Sequence, residues 1–357
     1  MDITFDNNGF CNYCTEFLNN YGDKLFDEKE KQDNLRIILE QIIKSGSDKT
    51  YDCVVGVSGG VDSSYVLYMA KKMGLKPLAV HIDNGWNSKL STDNIEKIVT
   101  SLKIDLETYT INQNEFRDLQ RAFFKANVVD IEMLTDNAIV AVLYIFARKH
   151  KIKFILGGQN IACEGMRGPQ GWSHNKKDTV NIKSIYKKFG NSKKISNIPV
   201  ISPTGQLTNK YLFGIKWINI LDFIPYIKND VVKLLEKEMS WKPYKKKHYE
   251  SIFTRFYQGY ILPKKFKVDK RKYHYSNLIC SGQMTRKGAV ELMKKEPYDD
   301  PVQLKEDMKY VLNKLGFSKD EFEQYLYSPT VPHSFYSTDF LCRIAPIKRK
   351  IKSLFNK

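Results

Sequence analysis

The chain is short of several things, and each shortage excludes a class of protein. Six cysteines in 357 residues are too few and too scattered for a disulfide framework, so the thiols read as reduced. No apolar stretch nears the roughly 20 residues needed to cross a bilayer; the longest runs from Ala138 to Ala147. Met1 leads into acidic and polar residues, not a charged-then-apolar signal, and the chain reads as cytoplasmic, away from membranes. Internal repeats and low-complexity tracts are absent as well. Carboxylates are outnumbered, 40 against 57 lysines and arginines, and the formal charge of +17 favours anionic partners. Nucleic acid, nucleotide-linked metabolites and acidic protein surfaces all fit. Much of the excess sits in Lys245-Lys246-Lys247, Lys264-Lys265 and a basic tail over 343–357, which read as solvated faces. The 21 tyrosines and 20 phenylalanines are scattered among helical patterns instead of repeating as a stacking platform, which argues against nucleic acid.

What is present is chemically specific. The string YDCVVGVSGGVDSS, Tyr51 to Ser64, starts as a β-branched apolar run at Cys53–Val57 and continues from Val61 to Met73 with apolar side chains at helical spacing. The turn between them is Ser58-Gly59-Gly60. Two glycines remove the Cβ atoms that would stop the backbone closing around an anion, so N–H groups and a helix start can face phosphate oxygens. Ser58, Ser63 and Ser64 add hydroxyls, and Asp62, a carboxylate where phosphate would repel one, reads as a magnesium ligand. No lysine follows the glycines, which excludes the phosphate loop of kinases and GTPases. The string SGGVDSS resembles instead the pyrophosphatase (PP) loop of enzymes that split ATP between its α- and β-phosphates, such as asparagine, GMP and NAD synthetases and tRNA-thiolating enzymes.

Strands are predicted at 53–57, 78–83, 106–111 and 154–157, alternating with helices at 61–73, 92–102, 116–127 and 135–150. Such alternation implies an α/β fold: a Rossmann-like parallel sheet with helices on both faces, binding ligands beyond the carboxyl ends of its strands. His81, Asp83, Gly157, Gly158 and Gln159 stand at those ends with Gly59 and Gly60. The predicted organisation is a small cysteine-containing knuckle over 1–27, an ATP-binding domain over 28–205, a mainly helical C-terminal region over 206–342, and the tail. Residues 162–203 read as an irregular loop over the site, followed by helices at 211–221, 230–239, 247–258, 286–294, 301–315 and 319–325.

A second constellation lies between Lys246 and Arg286. On a helix His248, Glu250 and Arg255 would face one cleft; the plainer reading is a charged amphipathic helix whose buried stripe is Tyr249, Ile252, Phe253 and Phe256. Several strings together resemble the N-acetyl sugar amidotransferases of bacterial surface-polysaccharide and LPS O-antigen biosynthesis: DITFDNNGFCNYC, VGVSGGVDSSY, ILGGQNIACEG, NKKDTVNIKSIYKKFG, HYESIFTRFYQGYILPKKF and DKRKYHYSNLICSGQMTR. They spread from Asp2 to about Glu291 in order. The resemblance implies an ATP- and magnesium-dependent, AMP-forming conversion of an N-acetyl group on a nucleotide-linked sugar to an acetamidine. Ammonia is expected from a glutaminase partner similar to the amidotransferase pair of histidine biosynthesis.

The residues suit that chemistry. An unactivated amide oxygen is a poor leaving group, so it must first be adenylylated; positioning and charge stabilisation then carry the reaction. Ser58, Gly59, Gly60, Asp62 and Ser63 are candidates for pyrophosphate and metal, His81 and Asp83 for adenosine, and Gly157, Gly158 and Gln159 for the reacting phosphate. Asp62, His248, Glu250, Arg255, Lys270 and Arg271 are candidate catalytic groups, and Asn175, Lys176 and Lys177 candidate substrate contacts. Cys53, in a buried strand, reads as packing.

In that family a further CxxC precedes the segment matching Asp2–Asp6, where this chain has only Met1. Cys11 and Cys14 are therefore candidate zinc ligands needing two more donors, with Cys163, Cys280 or a histidine to choose from. Two alternatives remain open. A tRNA-modifying PP-loop ATPase, of thiolation or lysidine type, would explain the charge, and a non-catalytic nucleotide-binding relative would share the fold.

Overall fold

Parallel strands formed by five short, mostly β-branched and aliphatic segments make up the centre of the chain. A computed structural model describes residues 3–245, 249–298 and 300–344. The strands β1 (Cys53–Gly56), β2 (Pro77–Asp83), β3 (Leu106–Thr110), β4 (Phe154–Gly157) and β5 (Lys216–Asn219) pair in the order β3-β2-β1-β4-β5. Val54 of central β1 lies opposite both Leu78 of β2 and Ile155 of β4. The order reverses between β1 and β4, and a crevice opens there beyond the strand ends.

Helices α1 (Asn12–Phe26) and α2 (Glu28–Ser45) precede β1, α3 (Val61–Lys72) follows it, and α4 (Lys89–Leu102) follows β2. Between β3 and β4 come α5 (Gln113–Ala126) and α6 (Met133–Lys149); between β4 and β5, α7 (Ile161–Glu164), α8 (Thr179–Phe189) and α9 (Pro203–Tyr211). Beyond β5 run α10 (Lys228–Met239), α11 (Ile252–Phe256), a π-helical segment Tyr257–Phe266, α12 (Arg271–Cys280), α13 (Arg286–Met293), α14 (Pro301–Leu315) and α15 (Lys319–Tyr327). Local signals set many of the ends. Ser88, Asn112 and Asp178 cap α4, α5 and α8 with side-chain oxygens, and Ser318 with Glu321 forms a capping box on α15.

Alternation along β1 divides the core. Cys53, Val55 and Val57 pack with Val66 and Leu67 of α3, Ile98 of α4 and Leu235 of α10. Val54, Leu78 and Val80 pack on the other face with Phe116 and Phe123 of α5, Val142 of α6 and Ile185 of α8. Each fully buried side chain of this size stabilises the fold by about 1.5–3 kcal/mol. The fold is the Rossmann-like sheet covered on both faces that the sequence predicts, with a helical C-terminal region. Among the described residues, no helix is long and apolar enough to cross a membrane.

Four expectations need correction. The helix predicted over 211–221 is interrupted by Gly214 at φ +65°, and Lys216–Asn219 becomes edge strand β5 against β4. The sheet therefore extends past the boundary expected at 205. Residues 162–203 hold α8, whose Ile182, Ile185 and Tyr186 are buried. Of the helix predicted over 247–258, the described residues are helical only from Ile252: Ser88 N–H donates to the Glu250 carbonyl at 2.9 Å and Ile252 N–H to the Trp86 carbonyl at 2.8 Å, a bridge that holds Ser251 extended. Finally, the knuckle expected over 1–27 is mostly helix α1.

Candidate active site

Everything at the crevice is arranged around the turn leaving β1. Gly59 has φ +76°, and a Cβ there would lie 2.4 Å from the Ser91 carbonyl oxygen, so any side chain is excluded by both strain and space. The loop's own polar bonds are long: Ser58 N–H donates to Ser63 Oγ at 3.2 Å, Gly60 N–H to Ser58 Oγ at 3.3 Å and Ser63 Oγ to the Gly60 carbonyl at 3.2 Å. Gly60 caps α3 without a side-chain hydrogen bond, which leaves first-turn N–H groups facing the turn.

The end of β4 closes the other side. A Cβ on Gly158 would sit 3.2 Å from Ser63 N, and one on Gly157 would sit 2.6 Å from Trp217 Nε1, so these glycines allow β4 to abut α3 and β5. Gln159 is exposed at the rim. Buried Asn160 accepts from Cys163 N–H at 2.8 Å, and its Nδ2 has no hydrogen-bond partner. Asp62 accepts a hydrogen bond from the Tyr226 phenol. Burial first, then the Asp62 carboxylate, raises that phenol far above its usual value, and Glu164 adds to the same field. A carboxylate beside a phosphate cradle suits magnesium, which takes one or two protein carboxylates and completes its shell with phosphate and water.

At the end of β2, His81 is occupied by the protein. Its Nδ1 donates to the Val57 carbonyl at 2.9 Å while Nε2 accepts from Asn87 Nδ2 at 3.0 Å, so the ring braces the turn. Asp83 Oδ1 accepts from Gly85 N–H at 2.8 Å and lines a cavity of about 530 Å³ with Thr110, Gln113, Arg117 and Lys314. Asn84 Nδ2 reaches Thr135 Oγ1 at 3.4 Å, which brings the start of α6 to this end of the sheet.

The other predicted residues divide sharply. Glu250 reaches the loop: its Oε1 would lie 3.3 Å from a Cβ on Gly60. Arg255, within α11, forms a two-pronged pair with Asp307, Nε at 2.5 Å and Nη2 at 2.6 Å. His248 lies outside the described residues. Lys176 is held by Asp130 at 2.7 and 2.9 Å and by Asp136 at 3.1 Å, while Asn175 Oδ1 accepts Lys177 N–H at 3.1 Å. Burial alone would raise the Asp130 carboxyl, but Lys176 and Lys270 outweigh it and hold it well below the usual range. Lys270 Nζ lies 3.8 Å from Glu132, and Arg271 pairs with its neighbour Asp269 at 2.7 Å. Arg255, Lys176, Lys270 and Arg271 each face a carboxylate of the protein itself.

Cys11 and Cys14 approach to 3.3 Å, and Cys280 joins them: its thiol is pulled below the ordinary value chiefly by a hydrogen bond with Cys14. Among the described residues no group of three or more His, Cys, Asp or Glu side chains is arranged to hold a metal ion. Cys53 is fully buried, as packing requires.

Residues without a motif also converge on the turn. Trp241 Nε1 and Tyr244 OH both donate to the Gly59 carbonyl, at 2.9 and 3.0 Å. With Tyr226 they were missed in sequence, where the only signal was an aromatic pair after a helical pattern.

Comparison with known proteins agrees with this geometry. Residues 32–197 match the NAD synthase family, and residues 250–349 match the family described as LPS biosynthesis protein WbpG-like, C-terminal domain. Two segments of the chain are thus similar to known families, the first to NAD synthase and the second to the WbpG-like C-terminal domain. Similar solved structures include NMN synthetase from Francisella tularensis, at 17% identity over 63% of this chain and 100% of that one, TM-score 0.31. The U34-tRNA thiolase NcsA from Methanococcus maripaludis is 16% identical over 80% and 82%, TM-score 0.36. The NH3-dependent NAD synthetase from Campylobacter jejuni is 15% identical over 73% and 99%, TM-score 0.32. At these scores they add nothing to what the strand order establishes. No curated protein matches significantly.

Proposed function

We propose that this chain is the synthetase component of an ATP-dependent amidotransferase that converts an N-acetyl group of a nucleotide-linked sugar to an acetamidino group for surface-polysaccharide assembly. The observation that carries the reading is the glycine-serine cradle beside Asp62, joined to a WbpG-like domain that delivers Glu250 to the same turn. In the first step the acetamido oxygen attacks the α-phosphorus of ATP, the α–β bridge breaks, and an O-adenylyl imidate and pyrophosphate form. Ammonia then adds at the imidate carbon, the C–O bond breaks, AMP departs, and loss of a proton leaves the amidine. Ser58, Ser63 and the first N–H groups of α3 hold and orient the departing pyrophosphate. Asp62 would hold magnesium, which when bound offsets the charge of that leaving group. A glutaminase partner supplies the ammonia.

The test incubates the chain with ATP, magnesium, ammonium and a panel of diacetamido nucleotide sugars and reads pyrophosphate release and exchange of oxygen for NH by mass spectrometry. Product with at least one sugar is expected; absence of pyrophosphate release with every sugar would overturn the reading. One observation favours a second reading, a tRNA-thiolating enzyme: Cys280 stands beside the Cys11–Cys14 pair. Salt-resistant tRNA binding with ATP-dependent sulfur incorporation would establish it instead.

A further inference from the structure

The Gly59–Gly60 peptide is the piece of the cradle with most freedom to turn, since neither residue has a side chain. Its carbonyl is nevertheless gripped from one side by two donors, Trp241 Nε1 at 2.9 Å and Tyr244 OH at 3.0 Å. Both come from the segment after α10, which falls between the two stretches matched by family models. That segment is fixed to α4: fully buried Asn94 accepts from Lys242 N–H at 2.9 Å, donates to the Lys242 carbonyl at 2.8 Å and reaches Tyr244 OH at 3.3 Å. The same helix presents the Ser91 carbonyl against Gly59. Trp241 is almost fully buried, so its indole has no water to exchange with.

In a planar trans peptide the C=O and N–H point to opposite sides, so a carbonyl pinned outward aims the N–H on the other end inward. That N–H belongs to Gly60 and now makes only a 3.3 Å bond to Ser58 Oγ, a bond readily exchanged for a phosphate oxygen. We propose that Trp241 and Tyr244 are positioning residues that preset the phosphate turn by holding the Gly59 carbonyl, so that the Gly60 N–H faces the pyrophosphate. This rests on the reading of the turn as a pyrophosphate cradle. Without the two donors a glycine pair would sample several orientations, and the ligand would have to order them on binding.

The test compares wild type with Trp241→Phe, Tyr244→Phe and the double variant by calorimetric titration with inorganic pyrophosphate and, separately, AMP, alongside thermal melting. Phenylalanine keeps a ring at each place and removes only the donor. Each single variant should bind pyrophosphate about five- to tenfold more weakly, and the double variant more weakly than either. AMP affinity should stay within about twofold, a split that general loosening of the fold would not produce. In turnover with ATP, kcat should fall while KM for the sugar holds. Unchanged pyrophosphate affinity in a folded double variant, or equal loss for pyrophosphate and AMP, would overturn this role and leave the cradle reading standing. A wild-type protein that binds no pyrophosphate would overturn both.

Discussion

Two clusters of polar groups stand at the same end of the sheet and use their hydrogen-bonding capacity in opposite ways. In the phosphate turn the internal bonds are 3.2–3.3 Å long and join small, partly exposed groups. Around Asp130 the bonds are short and internal. Lys176 grips both carboxylate oxygens, His174 N–H donates to one at 2.7 Å, and the Asp130 N–H donates to His333 Nε2 at 3.1 Å. His333 in turn stacks on His174 at 4.4 Å and bonds Asn181 at 2.8 Å. The first cluster can hand its donors to a ligand at small cost; the second cannot open without leaving a buried charge unpaired. Residue type alone therefore does not mark a reactive group. What decides is whether another part of the chain already holds it.

Removing one partner from the closed cluster should produce the largest effect. Lys176→Met leaves Asp130 buried without its main cation and should cost about 3–5 kcal/mol in denaturant unfolding, while ATP affinity of the folded protein holds. Asp62→Asn should do the reverse. ATP-to-AMP conversion, followed as pyrophosphate release, falls about 10²- to 10³-fold with little change in melting; full turnover would remove Asp62 from metal binding. Acid should sharpen the contrast next. Burial, then His174, holds the His333 imidazole down at about 3 against an ordinary 6.5, so the unfolded chain takes up a proton between those pH values and the folded one does not. Stability is complete above pH 6.5 and lost as pH falls, by about 2–3 kcal/mol at pH 4.5, and the slope should flatten in His333→Asn. The smallest effect belongs to Glu250→Gln, which keeps its shape and loses its charge beside Gly60. A decrease in turnover of about tenfold is expected, and an unchanged rate would restrict Glu250 to shaping the turn.

The readable part of the site was the part encoded locally. Cys53 to Met73 carries strand, turn and helix in one unbroken string, with Gly59 marking the left-handed turn, and the structure follows it closely. β5 was unreadable because Lys216–Asn219 is too short to show a period and pairs only with a strand 62 residues earlier. The roles of Arg255 and Lys176 were hidden for a related reason. Their partners Asp307 and Asp130 lie 52 and 46 residues away, and a distant carboxylate outcompetes an imagined ligand. Trp241 and Tyr244 act on Gly59 across separations of 182 and 185 residues, which no spacing rule reports.

Central β1 has consequences for timing. Val54 and Val55, paired on both sides and essentially without solvent contact, should be among the last amides in the molecule to exchange with deuterium. The turn three residues further on is thereby mounted on the slowest-opening part of the protein. Repeated catalytic cycles can flex the surrounding helices while the origin from which the nucleotide site is measured stays put.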